Sequence, residues 1–174
     1  MRINNSIRPV VQNIFMLLLA CSDGSGPTGP AVGRFQAQLS GALNAVLSGS
    51  SNGGAFSTEE APDGRFAIRM FAPQADTLRS VNIDCPGLVR PEPGTYAIGS
   101  GPEGCRGAYG RLFSSMSGGT IVLEHMSATS GQVTVTASSD GQLGGTFRFE
   151  GSFVVGPDTL GTVTASGTFN AALE

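Results

Sequence analysis

Tryptophan and lysine are absent from this 174-residue chain, histidine occurs once and tyrosine twice. Each absence excludes something. All ten basic residues are arginine, and they are scattered rather than clustered. Phosphate recognition needs clustered Lys or Arg, so no nucleic-acid partner is expected. The same scatter argues against electrostatic adhesion to anionic lipid. Stacking platforms for sugars draw on exposed Trp or Tyr, and only Tyr96 and Tyr109 are present, which weakens a carbohydrate-binding reading. A zinc site is disfavoured by the single histidine, His125, and by the lack of a CxxC spacing. No acidic run follows the D-x-D-x-D-G calcium pattern, and Glu59, Glu60 and Asp63 read as solvated loop charge. Neither a metal nor a cofactor is expected. No apolar run approaches the roughly 20 residues a membrane-spanning helix needs.

What is present begins at the N-terminus. Arg2 and Arg8 precede a short apolar run, Ile14 to Leu19, with no acid among them. A basic head, an apolar middle and a small residue before a cut site define a secretory signal peptide. Leu18-Leu19-Ala20-Cys21 resembles a bacterial lipobox. The resemblance implies cleavage before Cys21 and acylation of that cysteine, hence a membrane held through a lipid anchor. Ser22 in place of Asp after the cysteine favours the outer membrane by the same resemblance, with the domain facing the periplasm or the cell surface. Residues 22–33 are rich in Ser, Gly and Pro and read as a flexible tether, with a root-mean-square span of roughly 20 Å. The expected organisation is therefore a signal peptide over 1–20, an anchor and tether over 21–33, and one folded domain over 34–174. Loss of Arg2 and Arg8 takes the formal charge from −3 to −5.

Three cysteines leave Cys85 and Cys105 as a pair once Cys21 is assigned to the anchor. An exported domain sits in an oxidising compartment, so a Cys85–Cys105 disulfide is expected.

From residue 34 onward apolar residues alternate with polar ones. Phe35, Ala37 and Leu39 face one way, as do Phe66, Ile68 and Met70, then Ile121 and Leu123, Val133 and Val135, Phe147 and Phe149. The longest run is Val163, Ala165, Gly167, Phe169, Ala171 and Leu173, with Thr162, Thr164, Ser166, Thr168 and Asn170 opposite. Period two with one apolar face predicts antiparallel strands, buried on one side and wet on the other. Asp63-Gly64, Ser117-Gly118-Gly119, Ser130-Gly131, Asp140-Gly141 and Gly156-Pro157-Asp158 supply turn signals between them. No amphipathic helix is predicted. The fold expected is all-β: a single antiparallel sandwich-like domain, or alternatively a small antiparallel barrel. From Gly119 onward the chain resembles small bacterial lipoproteins of unknown function with a β-sandwich domain. Ser130-Gly-Gln-Val-Thr-Val-Thr136, Leu143-Gly-Gly-Thr-Phe-Arg-Phe149 and Val163-Thr-Ala-Ser-Gly-Thr-Phe169 carry that likeness. It implies a fold and transfers no functional residue.

Motifs with chemistry are few. Gly49-Ser50-Ser51-Asn52-Gly53 matches G-x-S-x-G, but a nucleophile elbow needs a strand, a strained turn and a helix. Two G-x-G-x-x-G matches, at 24–29 and 99–104, lack the helix whose N-terminus would receive a pyrophosphate. The role expected is non-enzymatic: a binding or structural module of the cell envelope with protein partners. The loop between the paired cysteines, with Arg90, Glu92 and Glu103, is the candidate contact surface, because a restrained loop costs less to order on binding. Two rivals are a carrier of small lipophilic ligands with a barrel interior, and a hydrolase built on Ser51, His125 and a carboxylate.

Overall fold

The computed structural model describes residues 29–58, 61–75, 77–101, 103–114 and 120–173. The lipobox with Cys21, the glycines of 24–28 and the pair Glu59-Glu60 lie outside the described residues.

The alternating pattern is realised in nine strands: β1 (Arg34–Gly41), β2 (Ala45–Thr58), β3 (Ala61–Gln74), β4 (Thr77–Pro86), β5 (Gly94–Gly99), β6 (Arg106–Ser114), β7 (Thr120–Ser139), β8 (Gln142–Val155) and β9 (Asp158–Leu173). No helix occurs among the described residues. Antiparallel pairing runs β7-β6-β4-β3-β2-β1-β9-β8, and β8 pairs β7 again along its length, from Gln142↔Ser139 to Val155↔Glu124. The sheet therefore closes on itself. Of the two all-β architectures expected, the eight-stranded barrel fits better than the two-sheet sandwich. Period-two burial is common to both and could not separate them. Closure comes from strand length and curvature. β7 is 20 residues long and carries bulges at Ala128/Ser130 and Val135/Ala137. Bulges bend a strand and increase its twist, which lets a sheet curl into a ring.

Two turn signals lie inside strands. Ser130-Gly131 falls within β7, where Gly131 has φ +149, and a Cβ there would sit 2.4 Å from the Arg148 carbonyl oxygen. Glycine is needed for the bulge rather than for a hairpin. Asp63-Gly64 falls within β3. Asp140-Gly141 and Gly156-Pro157 do join neighbouring strands, while 117–119 lie outside the described residues.

The barrel interior is filled by side chains, as eight strands allow. Phe35, Leu39, Leu47, Tyr109, Phe149 and Phe169 are each about 1% exposed, and Ile68, Met70, Val81, Ile83 and Met126 are fully buried. The filling follows a large-against-small rule: Phe35 pairs Gly49, Phe149 pairs Gly131, Phe147 pairs Gly167 and Phe169 pairs Gly145. At Gly145 the Phe169 ring comes within 3.0 Å of where a Cβ would stand, and at Gly49, Gly131 and Gly167 the backbone of a neighbouring strand takes that space. Outside, Arg69, Arg148 and Glu150 are exposed in mid-wall positions. Apolar inside and polar outside is the reverse of barrels that cross a membrane with their strands.

One stretch departs from the expected phase. Ile121 and Leu123 were to face the core and Glu124 the solvent. Instead Ile121 is 53% exposed and Glu124 is 8% exposed. A bulge explains the reversal, because Arg111 pairs Glu124 while the next residue, Leu112, pairs Val122. Leu123 is the extra residue, and the phase of Met126 and Ala128 extends to Glu124.

The ninth strand, β5, is outside the ring order. β6 pairs β7 from Ser114 to Ala108, opposite Thr120 to Ser127. β5 then takes the same edge of β7, from Gly99↔Ser130 to Gly94↔Val135. Two short strands in succession thus cover one long edge.

Candidate functional site

The relay between β6 and β5 creates the candidate site. β4 ends at Pro86, residues 87–93 cross to β5, and the chain returns through Cys105 to β6. Cys85 and Cys105 form a disulfide with Cα atoms 4.0 Å apart. Both are buried, 3% and 1% exposed, so the bond belongs to the barrel wall rather than to a surface clip. Cys105 also forms an isolated parallel bridge to Ile98.

Arg90, Glu92 and Glu103 are brought together around one open groove of about 630 Å³. Its walls are Cys85, Pro86 and Val89 on one side and Thr95, Tyr96 and Ala97 on the other. Arg90 is partly committed to the fold. Its Nη1 donates to the Ser139 carbonyl at 2.6 Å and lies 3.5 Å from Asp140 Oδ1, at the β7–β8 turn. The carbonyl bond is charge-assisted and holds the loop. The Asp140 carboxylate is fully exposed, so that ion pair adds little. Glu92 and Glu103 are exposed, and the Glu92 backbone carbonyl accepts from the Tyr96 hydroxyl at 2.8 Å. Val89 is 82% exposed beside them.

Two polar clusters were missed by sequence reasoning. In the first, the buried Tyr109 hydroxyl donates to Glu124 Oε1 at 2.5 Å, and Arg111 Nη1 lies 3.7 Å from Glu124 Oε2. Burial, then the bond and charge of Glu124, push the Tyr109 hydroxyl well above its usual range, against the pull of Arg79 and Arg111. In the second, burial raises the Asp84 carboxyl above 3.8, partly offset by Arg69, Arg65 and Arg106. Arg65 is itself 7% exposed and donates to the Asp84 backbone carbonyl at 2.8 Å. No spacing motif advertises either cluster. Only the bulge in β7 turns Glu124 inward, and only strand pairing places three arginines around Asp84.

The hydrolase residues do not assemble. Ser51 and His125 sit on β2 and β7, which are four strands apart in either direction round the ring. Ser51 is 2% exposed and lies on the inward face of β2 opposite Met70, its hydroxyl without a hydrogen-bond partner, while His125 is exposed. The G-x-S-x-G match runs along β2 rather than round a turn. The G-x-G-x-x-G match at 99–104 runs from the end of β5 towards Cys105 and β6, with no helix after it. Among the described residues no three His, Cys, Asp or Glu side chains converge to hold a metal ion.

No protein-family model matches this chain, and neither the curated proteins nor the solved structures include a match to it.

Proposed function

We propose that this chain is a lipid-anchored envelope protein of a bacterium, and that its barrel is a non-enzymatic binding or structural module that meets protein partners through its outer surface. The observation that carries the reading is the filled interior. With Phe35, Phe149, Phe169 and Tyr109 packed into the ring, recognition falls to the outer wall and its loops. The groove around Arg90, Glu92 and Glu103 is the surface that combines charge, exposed apolar area and a covalent restraint. The address rests on the sequence: Arg2 and Arg8, the apolar run to Leu19, and Leu18-Leu19-Ala20-Cys21. The outer membrane is the favoured site of attachment. The chain enters the barrel at the rim that carries the β7–β8 turn, since Pro30 accepts from Asn170 Nδ2 and Gly33 donates to the Asn170 carbonyl. A tether there holds the domain by the rim next to the groove.

The carrier reading has the closed barrel in its favour, and occupation of the interior by side chains against it. Intact mass of the protein from its native membrane tests the address. A species beginning at Cys21 with acyl chains supports it, and a full-length unacylated chain removes it. Saturable uptake of a lipophilic fluorophore would transfer the assignment to the carrier.

A further inference from the structure

We infer that the gap between the end of β4 and the outer edge of β5 is a strand-addition slot for an extended, basic-and-apolar segment of a partner protein. The inference deepens the binding reading above and rests on it for the kind of partner, but not for its geometry.

In a strand, alternate residues direct both N–H and C=O to the same edge. Gly99 donates to the Cys105 carbonyl at 3.0 Å, and Ala97 accepts from the Cys105 N–H at 2.9 Å, so residues 95, 97 and 99 face away from β7. Cys105 uses two of these groups and goes no further. By that alternation the Thr95 N–H, the Thr95 C=O and the Ala97 N–H also point away from β7, and none of them bonds to a segment outside the ladder among the described residues. They line the groove of about 630 Å³. Across it, β4 has already lost β6, whose pairing stops at Asp84↔Arg106. Pro86 contributes no N–H to the far wall, so an added strand pairs with β5 alone. About three extended residues, roughly 10 Å of chain, match the free edge.

Edge strands are normally protected by charge, proline or a cover. Gly94-Thr-Tyr-Ala-Ile-Gly99 carries no charge and no proline. The charges sit at the groove's margins instead, as Glu92 and Glu103, while Arg90 is turned to Ser139 and Asp140. Two copies of the chain meeting edge to edge would bring these carboxylates together in a molecule of net charge −3, so the slot disfavours itself as partner. A segment with an apolar residue for Val89 and a basic one for Glu92 or Glu103 is complementary. Backbone pairing supplies affinity, and the alternate side chains supply the choice of partner.

The test uses the full-length oxidised protein and a displayed library of random heptapeptides. Selected peptides are expected to alternate apolar and basic residues. On binding they should shift the Thr95 and Ala97 amide resonances and slow their hydrogen exchange. Thr95→Pro removes an N–H that the barrel does not use, together with the exposed Thr95–Thr134 hydroxyl bond at 3.0 Å, so affinity should fall at least tenfold while Thr95→Val, which loses only the hydroxyl, keeps the parent's affinity. Glu103→Arg, at the exposed margin, should reverse the charge preference. The slot is overturned if no peptide enriches above a non-displaying control, if Thr95→Pro binds as well as the parent, or if the protected amide belongs to a dimer of this chain. Protection confined to residues 87–93 also overturns strand addition, while leaving loop-mediated binding standing.

Discussion

Two walls of the same barrel are built by opposite means. On one side β7, β8 and β9, of 20, 14 and 16 residues, pair along nearly their whole lengths, with bulges that shift the register without ending the ladder. Their inner faces carry Phe147, Phe149, Phe153 and Phe169, and none of them contributes to the disulfide. On the other side β4, β5 and β6 have 10, 6 and 9 residues, and two of them must share one edge of β7. There the ladder is interrupted, and a disulfide stands where hydrogen bonds stop. Closure and packing are delegated to the long strands, while the short ones leave a gap that is restrained but open. Stability and surface chemistry are separated around the ring.

The largest difference should appear when one apolar side chain is truncated on each side. Phe169→Ala should cost about 3–5 kcal/mol, because a 1% exposed side chain leaves a cavity opposite Gly145. Val89→Ala, at 82% exposure, should change stability by less than about 0.5 kcal/mol. Denaturant midpoints check both. Equal losses would mean that the groove loop is as integral to the fold as the long-strand wall.

Next comes the staple. Replacing Cys85 and Cys105 together by alanine should cost about 3 kcal/mol, the loop-entropy value for a 20-residue separation. Hydrogen exchange should show the loss unevenly. Amides of β5 and β6 should lose protection first, with those of β8 and β9 still held by their own ladder. Uniform loss of protection would show that the gap and the long-strand wall unfold as one.

A smaller effect is expected where the two walls meet. Tyr109 on β6 donates to Glu124 on β7, and Tyr109→Phe leaves that buried carboxylate with Arg111 at 3.7 Å. The cost should be about 1–3 kcal/mol. Because burial and Glu124 raise the Tyr109 hydroxyl above its usual 10.0, the folded state prefers the protonated form. Its contribution is complete below the unfolded value and is lost as pH rises beyond it. The parent should therefore weaken above about pH 10 more steeply than Tyr109→Phe, measured by melting temperature against pH.

How much of this was legible in the sequence differs between the two walls. The inward sets of β1, β3, β8 and β9 follow strict alternation, and Phe35, Ile68, Phe147 and Val163 lie where period two puts them. The Cys85–Cys105 pairing was also readable, from the cysteine count once Cys21 is set aside. Bulges were not. They add one residue and reset the phase, so Ile121 turned outward and Glu124 inward, and Ser130-Gly131 resembled a hairpin while lying in β7. Many glycines read as turns because their second use, opposite a phenylalanine, depends on a neighbour far away in sequence. Phe147 and Gly167 illustrate that distance. The groove residues Arg90, Glu92 and Glu103 were named from the loop alone, and the free edge of β5 that gives them a context exists only once β6 has stopped pairing.

The last and smallest effect probes the outer face of the short-strand wall, where Asp84 sits among Arg65, Arg69 and Arg106. Three cations would ordinarily lower a carboxyl, yet burial prevails and raises this one above 3.8. In the window between the unfolded and folded values the unfolded chain gives up its proton first, so stability falls as pH rises through it and stays lower above. Asp84→Asn should therefore stabilise the protein at neutral pH, by less than about 1 kcal/mol once solvent screening of this partly exposed site is allowed for. The parent should gain on mild acidification relative to the variant, and the two stability curves should converge towards pH 4. If Asp84→Asn instead lost stability at neutral pH, the arginines would outweigh burial. The short-strand wall would then be held by charge as well as by its disulfide, and the contrast with the long strands would rest on what kind of bond closes each side rather than on how much of it is present.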